Sequence, residues 1–279
     1  MTLDRPEGTG WRPDLPDPRD YTPQHAKVVE MLRGLQPAGP LPRSVDWRDY
    51  CPPAFDRGRA TSAACACVGL LQYFERRTLG RILELSVPFV HQVSRRLLRG
   101  RGDGGEEFRT TWKAVTHFGV PDEVHWSPGP ASLEGEPDAF AFAAARKFPD
   151  LCYVRLDPRG KSGDAVLQAV KSFLAAGFAC VFGFPMCTSA SKEGEIAYPT
   201  VFDRVRGGQA VLAVGYEDQC RIRSHKGALR IANSLGPSWG ENGFGRLPYI
   251  YVRERLAGDF WTLLQPGWLA SGELQSPGD

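Results

Sequence analysis

The stretch Gly207-Gly-Gln-Ala-Val-Leu-Ala-Val-Gly-Tyr216 decides the fold of this 279-residue chain. Residues 210–216 form a short apolar run after two glycines and a glutamine, a pattern that is typical of a buried strand. Similar apolar runs occur after about residue 150, and they predict strands at 151–156, 179–184, 228–232 and 249–252. One helix is expected among them, at residues 164–176.

The first half of the chain predicts helices instead. Residues 61–78 are apolar on nearly every side, and a helix of that kind is buried. Its first residues are small, which allows close packing, and Thr61 or Ser62 can cap its N-terminus. Two more helices are expected at 87–98 and 106–117, and glycines 102, 104 and 105 break the chain between them.

Segregated helices and strands predict an α+β fold with two lobes and a cleft between them. We expect a mainly helical lobe at residues 46–150 and a mainly antiparallel β lobe at 151–279, which together form one unit. Residues 1–45 are rich in Pro, Asp and Arg around a short helix near 26–35. They offer too few apolar residues for a separate core, so we expect an N-terminal arm that wraps the body.

Composition and charge narrow the range of functions. The formal net charge of +2 gives no case for nucleic acid or an anionic membrane as a partner. No apolar run approaches the ~18 residues that span a bilayer, and the polar N-terminus predicts no signal peptide. Several of the seven cysteines lie in apolar segments, so we expect reduced core cysteines in a cytoplasmic protein. No Cys or His spacing suggests a metal site, and no cofactor is expected.

Four blocks of the sequence resemble the papain-like cysteine peptidases of bacterial type. Leu41-Pro-Arg-Ser-Val-Asp-Trp-Arg48 resembles the start of their mature domain, and residues 50–63 resemble the segment that leads to the nucleophile. Residues 207–216 resemble the strand that carries the catalytic histidine, usually Gly-Gly-His-Ala-Val. Ile231-Ala-Asn-Ser-Leu-Gly-Pro-Ser-Trp-Gly-Glu-Asn-Gly243 resembles the Asn-Ser-Trp-Gly block. The likeness covers roughly residues 11–262, its spacing fits the family, and it implies a papain-like two-lobed fold.

The resemblance assigns each catalytic role to one residue of this chain. The nucleophilic thiol falls on Ala63, the imidazole base on Gln209 and the oxyanion-stabilising glutamine on Arg57. Asn233, which orients the imidazole in the family, is kept, whereas Leu235 stands where a tryptophan normally shields the asparagine–histidine bond. A methyl group cannot attack a carbonyl, and an amide is no general base near neutral pH. The sequence therefore predicts a papain-like protein without peptidase activity.

Residues close to the nucleophile position are not expected to replace it. Cys65 points about 200° away from residue 63 on the same helix, and Cys67 lies about one turn deeper in the core. Ser62 is interpreted as a structural residue. The histidines lie outside the four blocks and are expected to be surface or core residues, at positions 25, 91, 117, 125 and 225.

The cleft that remains is suited to recognition. The helix that starts near Ala63 should present backbone N–H groups, and Arg57 adds a fixed positive charge beside it. Gln209 and Asn233 should face it with amide groups, and this set suits a carboxylate, a phosphate or a peptide backbone. The alternative is that Arg57 only pairs with an acid such as Asp56.

A glycine pair completes the expected ligand-binding set. Gly104 and Gly105 match the glycines that let a substrate strand pair with the cleft wall in the family, although a simple loop hinge is an alternative. The full candidate set is Arg57, Ala63, Gly104, Gly105, Gln209, Asn233 and Leu235.

Three functional hypotheses follow. The first is a pseudopeptidase that binds a peptide, a protein partner or an anionic ligand in the former active-site cleft. The second is a non-peptidase enzyme, such as one for acyl transfer or cyclisation in a biosynthetic pathway, that acts by positioning and electrostatics. The third is a structural subunit whose cleft is filled by its own N-terminal arm.

Overall fold

The computed structural model describes residues 10–56, 61–98, 105–128, 135–188 and 193–278. Its helices are α1 Ala26–Leu32, α2 Ser62–Leu79, α3 Val87–Leu97, α4 Phe108–Phe118, α5 Ala139–Ala144, α6 Gly163–Ala175, α7 Ile250–Arg253 and α8 Pro266–Leu269. Its strands are β1 Ser44–Asp46, β2 Cys152–Arg155, β3 Cys180–Cys187, β4 Val205–Ile222, β5 His225–Ala232, β6 Phe244–Pro248 and β7 Gly258–Leu264. Short 3-10 turns lie at Arg48–Tyr50 and Glu123–His125. Helices α2–α5 precede strands β2–β7 along the chain, in agreement with the predicted α+β two-lobed fold.

The sheet positions the candidate site through its long central strand. Within the described residues it has the order β2-β7-β3-β4-β5-β6, with β1 paired to β4, and every pairing is antiparallel. In the register of β4, Gln209 lies opposite Phe184 of β3, and Leu212 lies opposite Ala232 of β5. Residue 209 and the residue that follows β5 therefore lie at the same end of the sheet.

Helix α2 is the central helix of the core, as its all-round apolar sequence predicts. Ala63 and Ala64 at its start are fully buried, and Gly80 ends it with a φ of 64°, a conformation that glycine adopts at little cost. The side chain of Thr61 does not cap the helix as expected. The hydroxyl of Ser62 instead accepts a hydrogen bond of 3.1 Å from the backbone N–H of Ala210, which joins the start of α2 to β4.

The predicted strand at residues 249–252 is wrong. Strand β6 ends at Pro248, and Ile250–Arg253 is a short helix. A four-residue apolar run fits either a strand or a buried helical turn, so periodicity could not separate them. The true edge strand precedes it, where Leu247 pairs with Leu229. Strand β7 was not predicted, although it pairs with both β2 and β3.

The N-terminal arm runs along both halves of the molecule. Single bridges join Trp11 to Glu106, Tyr21 to Val154 and Pro37 to Ser276. The predicted boundaries at residues 45 and 150 stay a prediction. All seven cysteines are free, and only Cys220 among them is not buried. In the described part of the chain, no helix is both long and apolar enough to cross a membrane.

Candidate functional site

A buried amide pair occupies the predicted base position. Gln209 Nε2 donates a hydrogen bond of 2.7 Å to Asn233 Oδ1. Asn233 is also held in place by two further hydrogen bonds, each of 2.9 Å. Its Oδ1 accepts from the backbone N–H of Ser234, and its backbone N–H donates to the carbonyl of Gly243. Gln209 is 0% exposed and Asn233 is 5% exposed. The pair therefore links β4 to the segment after β5 inside the protein.

The same pair keeps unused hydrogen-bonding capacity. Within the described part of the chain, Gln209 Oε1 and Asn233 Nδ2 have no hydrogen-bond partner. A buried polar atom without a partner carries a desolvation penalty, so such atoms tend to occur where a ligand or water can bind. One acceptor and one donor match what a peptide group offers.

The nucleophile position lies beside this pair and is closed to solvent. Ala63 is fully buried, and the bond between Ser62 and Ala210 holds the start of α2 against the strand that carries Gln209. The side chain at position 63 ends at a methyl group. The described geometry thus brings Ala63, Gln209 and Asn233 together, as the sequence predicted, and gives them no thiol or imidazole.

The structure describes only two of the other four predicted ligand residues, Gly105 and Leu235. Arg57 and Gly104 lie outside the described residues, and so does the alternative pairing of Arg57 with Asp56. Gly105 has a φ of 88°, which other residues rarely adopt. Leu235 forms an antiparallel bridge with Asp56 and packs, partly buried, against the core.

The N-terminal arm lies next to the predicted site and touches both of its walls. The backbone N–H groups of Gly10 and Trp11 both donate to the carbonyl of Gly208, at 3.1 and 3.3 Å. On the other side, Arg12 N–H donates to the carbonyl of Glu106 at 3.1 Å, and Glu106 N–H donates to the carbonyl of Gly10 at 3.4 Å. Gly208 directly precedes Gln209, and Glu106 directly follows the predicted glycine pair. Residues 10–12 therefore bridge the cleft as an added strand.

The indole of Trp11 fills a slot that two glycines create. A Cβ at position 183 would lie 2.0 Å from the Trp11 ring, and a Cβ at position 208 would lie 2.0 Å from the Trp11 carbonyl oxygen. Any side chain at either position would collide with the arm. Trp11 is only 6% exposed, and its Nε1 donates to Asp259 Oδ2 at 3.2 Å.

Asp14 provides a second anchor three residues further along the arm. Its carboxylate accepts from Trp261 Nε1 at 3.1 Å and from the backbone N–H of Arg109 at 3.3 Å. Arg109 is the second residue of α4, so the carboxylate lies at the positive end of that helix. The backbone N–H of Asp14 donates to Asp259 Oδ2 at 2.7 Å.

A carboxylate cluster surrounds these anchors. Asp20 of the arm binds Arg109 with both oxygens, at 2.7 and 2.6 Å. Arg155 binds Asp157 at 3.1 Å and also contacts Asp259. The cluster contains more acidic than basic side chains; we define it as Asp14, Asp20, Asp157, Asp259, Arg109 and Arg155.

Burial and crowding raise the pKa of several carboxyl groups in the cluster. Burial, with a further contribution from Asp259, raises the pKa of Asp14 to about 7. Burial also raises the pKa of Asp157 to about 6 and that of Asp259 in the same direction. Among the described residues, no group of His, Cys, Asp or Glu is arranged to hold a metal ion. Through Asp14 and Asp20, the cluster joins the arm to Arg109, Asp259 and Trp261 of the body.

Sequence reasoning missed the arm residues that enter the site. Trp11 is the first tryptophan of the chain and stands in a segment that is otherwise poor in large apolar residues. That isolation is a signal for docking onto the body. The matching slot was not foreseeable, because Gly183 and Gly208 come from different strands.

Residues expected to be inert are held in the core. Cys67 is fully buried, and burial raises the pKa of its thiol well above the usual value. Cys65 Sγ lies 3.6 Å from Thr61 Oγ1 on the preceding turn of the chain. His91 is buried and its Nδ1 contacts Glu106 Oε1. These placements agree with the structural interpretation of the three residues.

Comparison with known proteins places these features in context. No family model matches the sequence. An uncharacterized peptidase C1-like protein of Acanthamoeba polyphaga mimivirus is 33% identical over 168 residues, which are 58% of this chain and 52% of that protein. The chain thus spans about half the length of the curated relative that it matches.

Solved structures give a more complete match. Xylellain, a cysteine protease from Xylella fastidiosa, has a TM-score of 0.74 and 28% sequence identity, covering 95% of this chain and 99% of xylellain. A procathepsin B from Trypanosoma congolense has a TM-score of 0.64 at 15% identity, covering 93% of this chain and 86% of that one. The second match shows the fold alone.

Proposed function

Because this chain is a homologue of the papain-like C1 cysteine peptidases, we propose that it is a pseudopeptidase whose cleft binds a peptide segment of a protein partner without cutting it. The single observation that carries the proposal is the buried hydrogen bond between Gln209 and Asn233 beside Ala63. Amide and methyl groups stand where the family has imidazole and thiol.

The chemistry of these replacements argues against turnover. In a related catalytic triad, loss of the nucleophile or the base costs about 10⁶ in kcat. Gln209 uses its amide nitrogen as a donor to Asn233, so that nitrogen cannot accept a proton from a nucleophile. An enzyme of different chemistry stays the alternative prediction, but Ala63 and Gln209 offer it neither a nucleophile nor a general base.

An arm in the cleft is what the hypothesis of a structural subunit predicts. The same arm supports the binding half of the proposal, because it shows how the cleft holds an extended chain. Residues 10–12 lie in the cleft and use the carbonyls of Gly208 and Glu106 as acceptors. These contacts involve backbone atoms, so they favour an extended peptide of many sequences. The unpartnered atoms of Gln209 and Asn233 add capacity for one further peptide group.

Covalent labelling tests the loss of the nucleophile. The native chain, treated with a thiol-directed epoxysuccinyl peptide and digested for mass spectrometry, is expected to carry no adduct on residues 61–67. The variant Ala63→Cys is the matched control for access to the position, examined both with the arm present and with Trp11→Ala. A stoichiometric adduct on Cys65 or Cys67 of the native protein would contradict the proposal.

A further inference from the structure

The arm reveals which side chains the cleft selects. All of the groups that receive residues 10–14 belong to the body, from Glu106 onward. Residues 10–14 of the arm therefore occupy the body as a bound peptide would, and their contacts define a binding site. The site has a backbone track and two side-chain anchors.

The first anchor accepts a large aromatic ring with a donor at its edge. The slot exists because positions 183 and 208 lack side-chain carbons. The Trp11 ring fills it, and its Nε1 reaches Asp259 Oδ2. Phenylalanine could fill part of this space but has no N–H for Asp259, so an indole is preferred.

The second anchor accepts a carboxyl side chain. Trp261 Nε1 and the first turn of α4 both donate to the side chain of Asp14, and Arg109 Nη1 lies 3.7 Å from it. The helix N-terminus and Arg109 favour the charged form of this side chain. Burial and the neighbouring Asp259 carboxylate outweigh them, so the anchor binds the protonated carboxyl group more tightly than the carboxylate. An amide side chain would satisfy fewer of these donors.

The chain between the anchors fixes their spacing. Trp11 and Asp14 both bind Asp259 Oδ2, the first through its ring and the second through its backbone N–H. One acceptor thus ties the two anchors together and fixes a spacing of three residues between them. Pro13 between them favours an extended backbone.

From these contacts we propose, on the basis of the proposed function, that the cleft recognises an extended segment of a partner protein with a tryptophan followed three residues later by an aspartate, and that the arm is its resident competitor. The segment displaces residues 10–14 and takes the same slot and the same carboxylate site.

A partner fits this role better than a second copy of the chain. The arm is tied to its own body again directly after the anchors, where Asp20 binds Arg109 and the carbonyl of Tyr21 accepts from Arg155 N–H at 2.7 Å. Exchange of arms between copies would have to break these bonds as well. Displacement by a partner needs only residues 10–14 to leave, with exposed Leu15 and the prolines after it as the hinge.

Binding of a synthetic peptide tests the inference. The probe is Gly-Trp-Arg-Pro-Asp-Leu-Pro, the sequence of residues 10–16, labelled with fluorescein at its C-terminus. The receptor is the full chain with Trp11→Ala and Asp14→Ala, which empties both anchors. We expect saturable anisotropy with this receptor and at least ~10-fold weaker apparent binding to the native chain, because a tethered competitor acts at high effective concentration.

Peptide variants identify the selecting groups. Replacing the probe's tryptophan by alanine, or its aspartate by asparagine, is expected to weaken binding ~10-fold or more. The receptor variant Gly183→Val should block the slot, whereas Gly34→Val, at a position with no atoms within 4 Å of a Cβ, should not. Equal affinity for all of these peptides, or for both receptor variants, would overturn the inference.

Two further readouts keep the result decisive. If the double variant does not fold, excess unlabelled peptide is added to the native chain, and faster hydrogen exchange at Arg12 N–H is expected. A dimer with exchanged arms, detected by light scattering, would assign the site to a second copy of the chain and would contradict the proposal of a partner protein.

Mass spectrometry of the recovered probe separates the two proposals. A cleaved probe refutes the pseudopeptidase function, whereas an intact probe that never bound refutes only the proposed recognition of tryptophan and aspartate.

Discussion

Trp11 and Gly208 meet so closely that the cleft wall has no room for a side chain: the Trp11 N–H donates to the Gly208 carbonyl at 3.3 Å, and a Cβ on Gly208 would lie 2.0 Å from the Trp11 carbonyl oxygen. One glycine thus both binds the arm and makes space for it. The shape of the arm at Trp11 is therefore complementary to the cleft wall at Gly208.

Substitution of Gly208 by alanine is expected to expel the arm. The new methyl group would overlap a backbone oxygen, which cannot rotate away as a flexible side chain can. Limited proteolysis should then cleave between residues 10 and 20 at least several-fold faster, with the body intact. Gly34→Ala is the control, because nothing lies near that position. Unchanged cleavage of Gly208→Ala would show that the arm does not occupy this wall.

The Gln209–Asn233 bond should appear as a coupling energy in the free energy of unfolding. In a double-mutant cycle of Gln209→Met and Asn233→Ala, we expect about 1 kcal/mol of coupling, the usual net contribution of one buried hydrogen bond. Denaturant unfolding of the four proteins measures it. The exposed Gln168 on α6 supplies the control pair, Gln168→Met with Asn233→Ala, which should be additive within about 0.5 kcal/mol.

Docking of the arm should weaken as pH rises from 5 to 8. Asp14 has a pKa of about 7 when docked, against 3.8 for an ordinary aspartate. Between pH 3.8 and about 7 the docked arm therefore binds more protons than the released arm. Deprotonation favours release, and the equilibrium constant for docking falls by up to about tenfold for each pH unit in this range. The charged groups that act on Asp14 are Asp259, Arg109 and Arg155. Arg155 also pairs with Asp20 and Asp157.

Hydrogen-exchange protection of Trp11 N–H and Arg12 N–H, corrected for the intrinsic pH dependence, measures this effect. Asp14→Asn is the control, because an amide does not titrate, and its protection should be nearly independent of pH. Protection that increases from pH 5 to pH 8 in the native chain would contradict the assigned proton uptake.

Thiol reactivity should mark the cysteines as structural. Cys220 is the partly exposed thiol, whereas the other six are buried, and burial raises the pKa of Cys67 and Cys180. Dithionitrobenzoate at pH 7.5 is expected to titrate one thiol in the native chain and the remaining six after denaturation. A Cys220→Ser variant should remove the early phase. Fast reaction of Cys65 or Cys67 would reveal a hidden nucleophile.

Sequence patterns predicted the parts of the fold that repeat regularly. The helix at 61–78 was predicted because every side of it is apolar, and it is α2 within one residue at each end. The run 210–216 was predicted as a strand because it is short and apolar, and it lies inside β4. The segment 249–252 was mispredicted because four residues carry too little periodicity to distinguish a strand from a helical turn.

Part of the candidate site was also foreseeable. Ala63, Gln209 and Asn233 were identified by their places in motif blocks, and the structure brings them together. The slot for Trp11 was not foreseeable, because it depends on missing side chains at positions 183 and 208 of neighbouring strands. Nor was the anchor at Asp14, since its partners Arg109, Asp259 and Trp261 are distant in the sequence.

Peptide hydrolysis by a chain whose cleft has been emptied tests the pseudopeptidase function most directly. The variant with Trp11→Ala and Asp14→Ala removes the arm as a reason for inactivity, and fluorogenic peptides report kcat/KM against a papain-like peptidase as reference. A pseudopeptidase should bind the arm peptide and cleave no substrate above background. Turnover by this variant that is lost when Asn233→Ala is added would contradict the pseudopeptidase function, because the residues at the former catalytic positions would then catalyse hydrolysis.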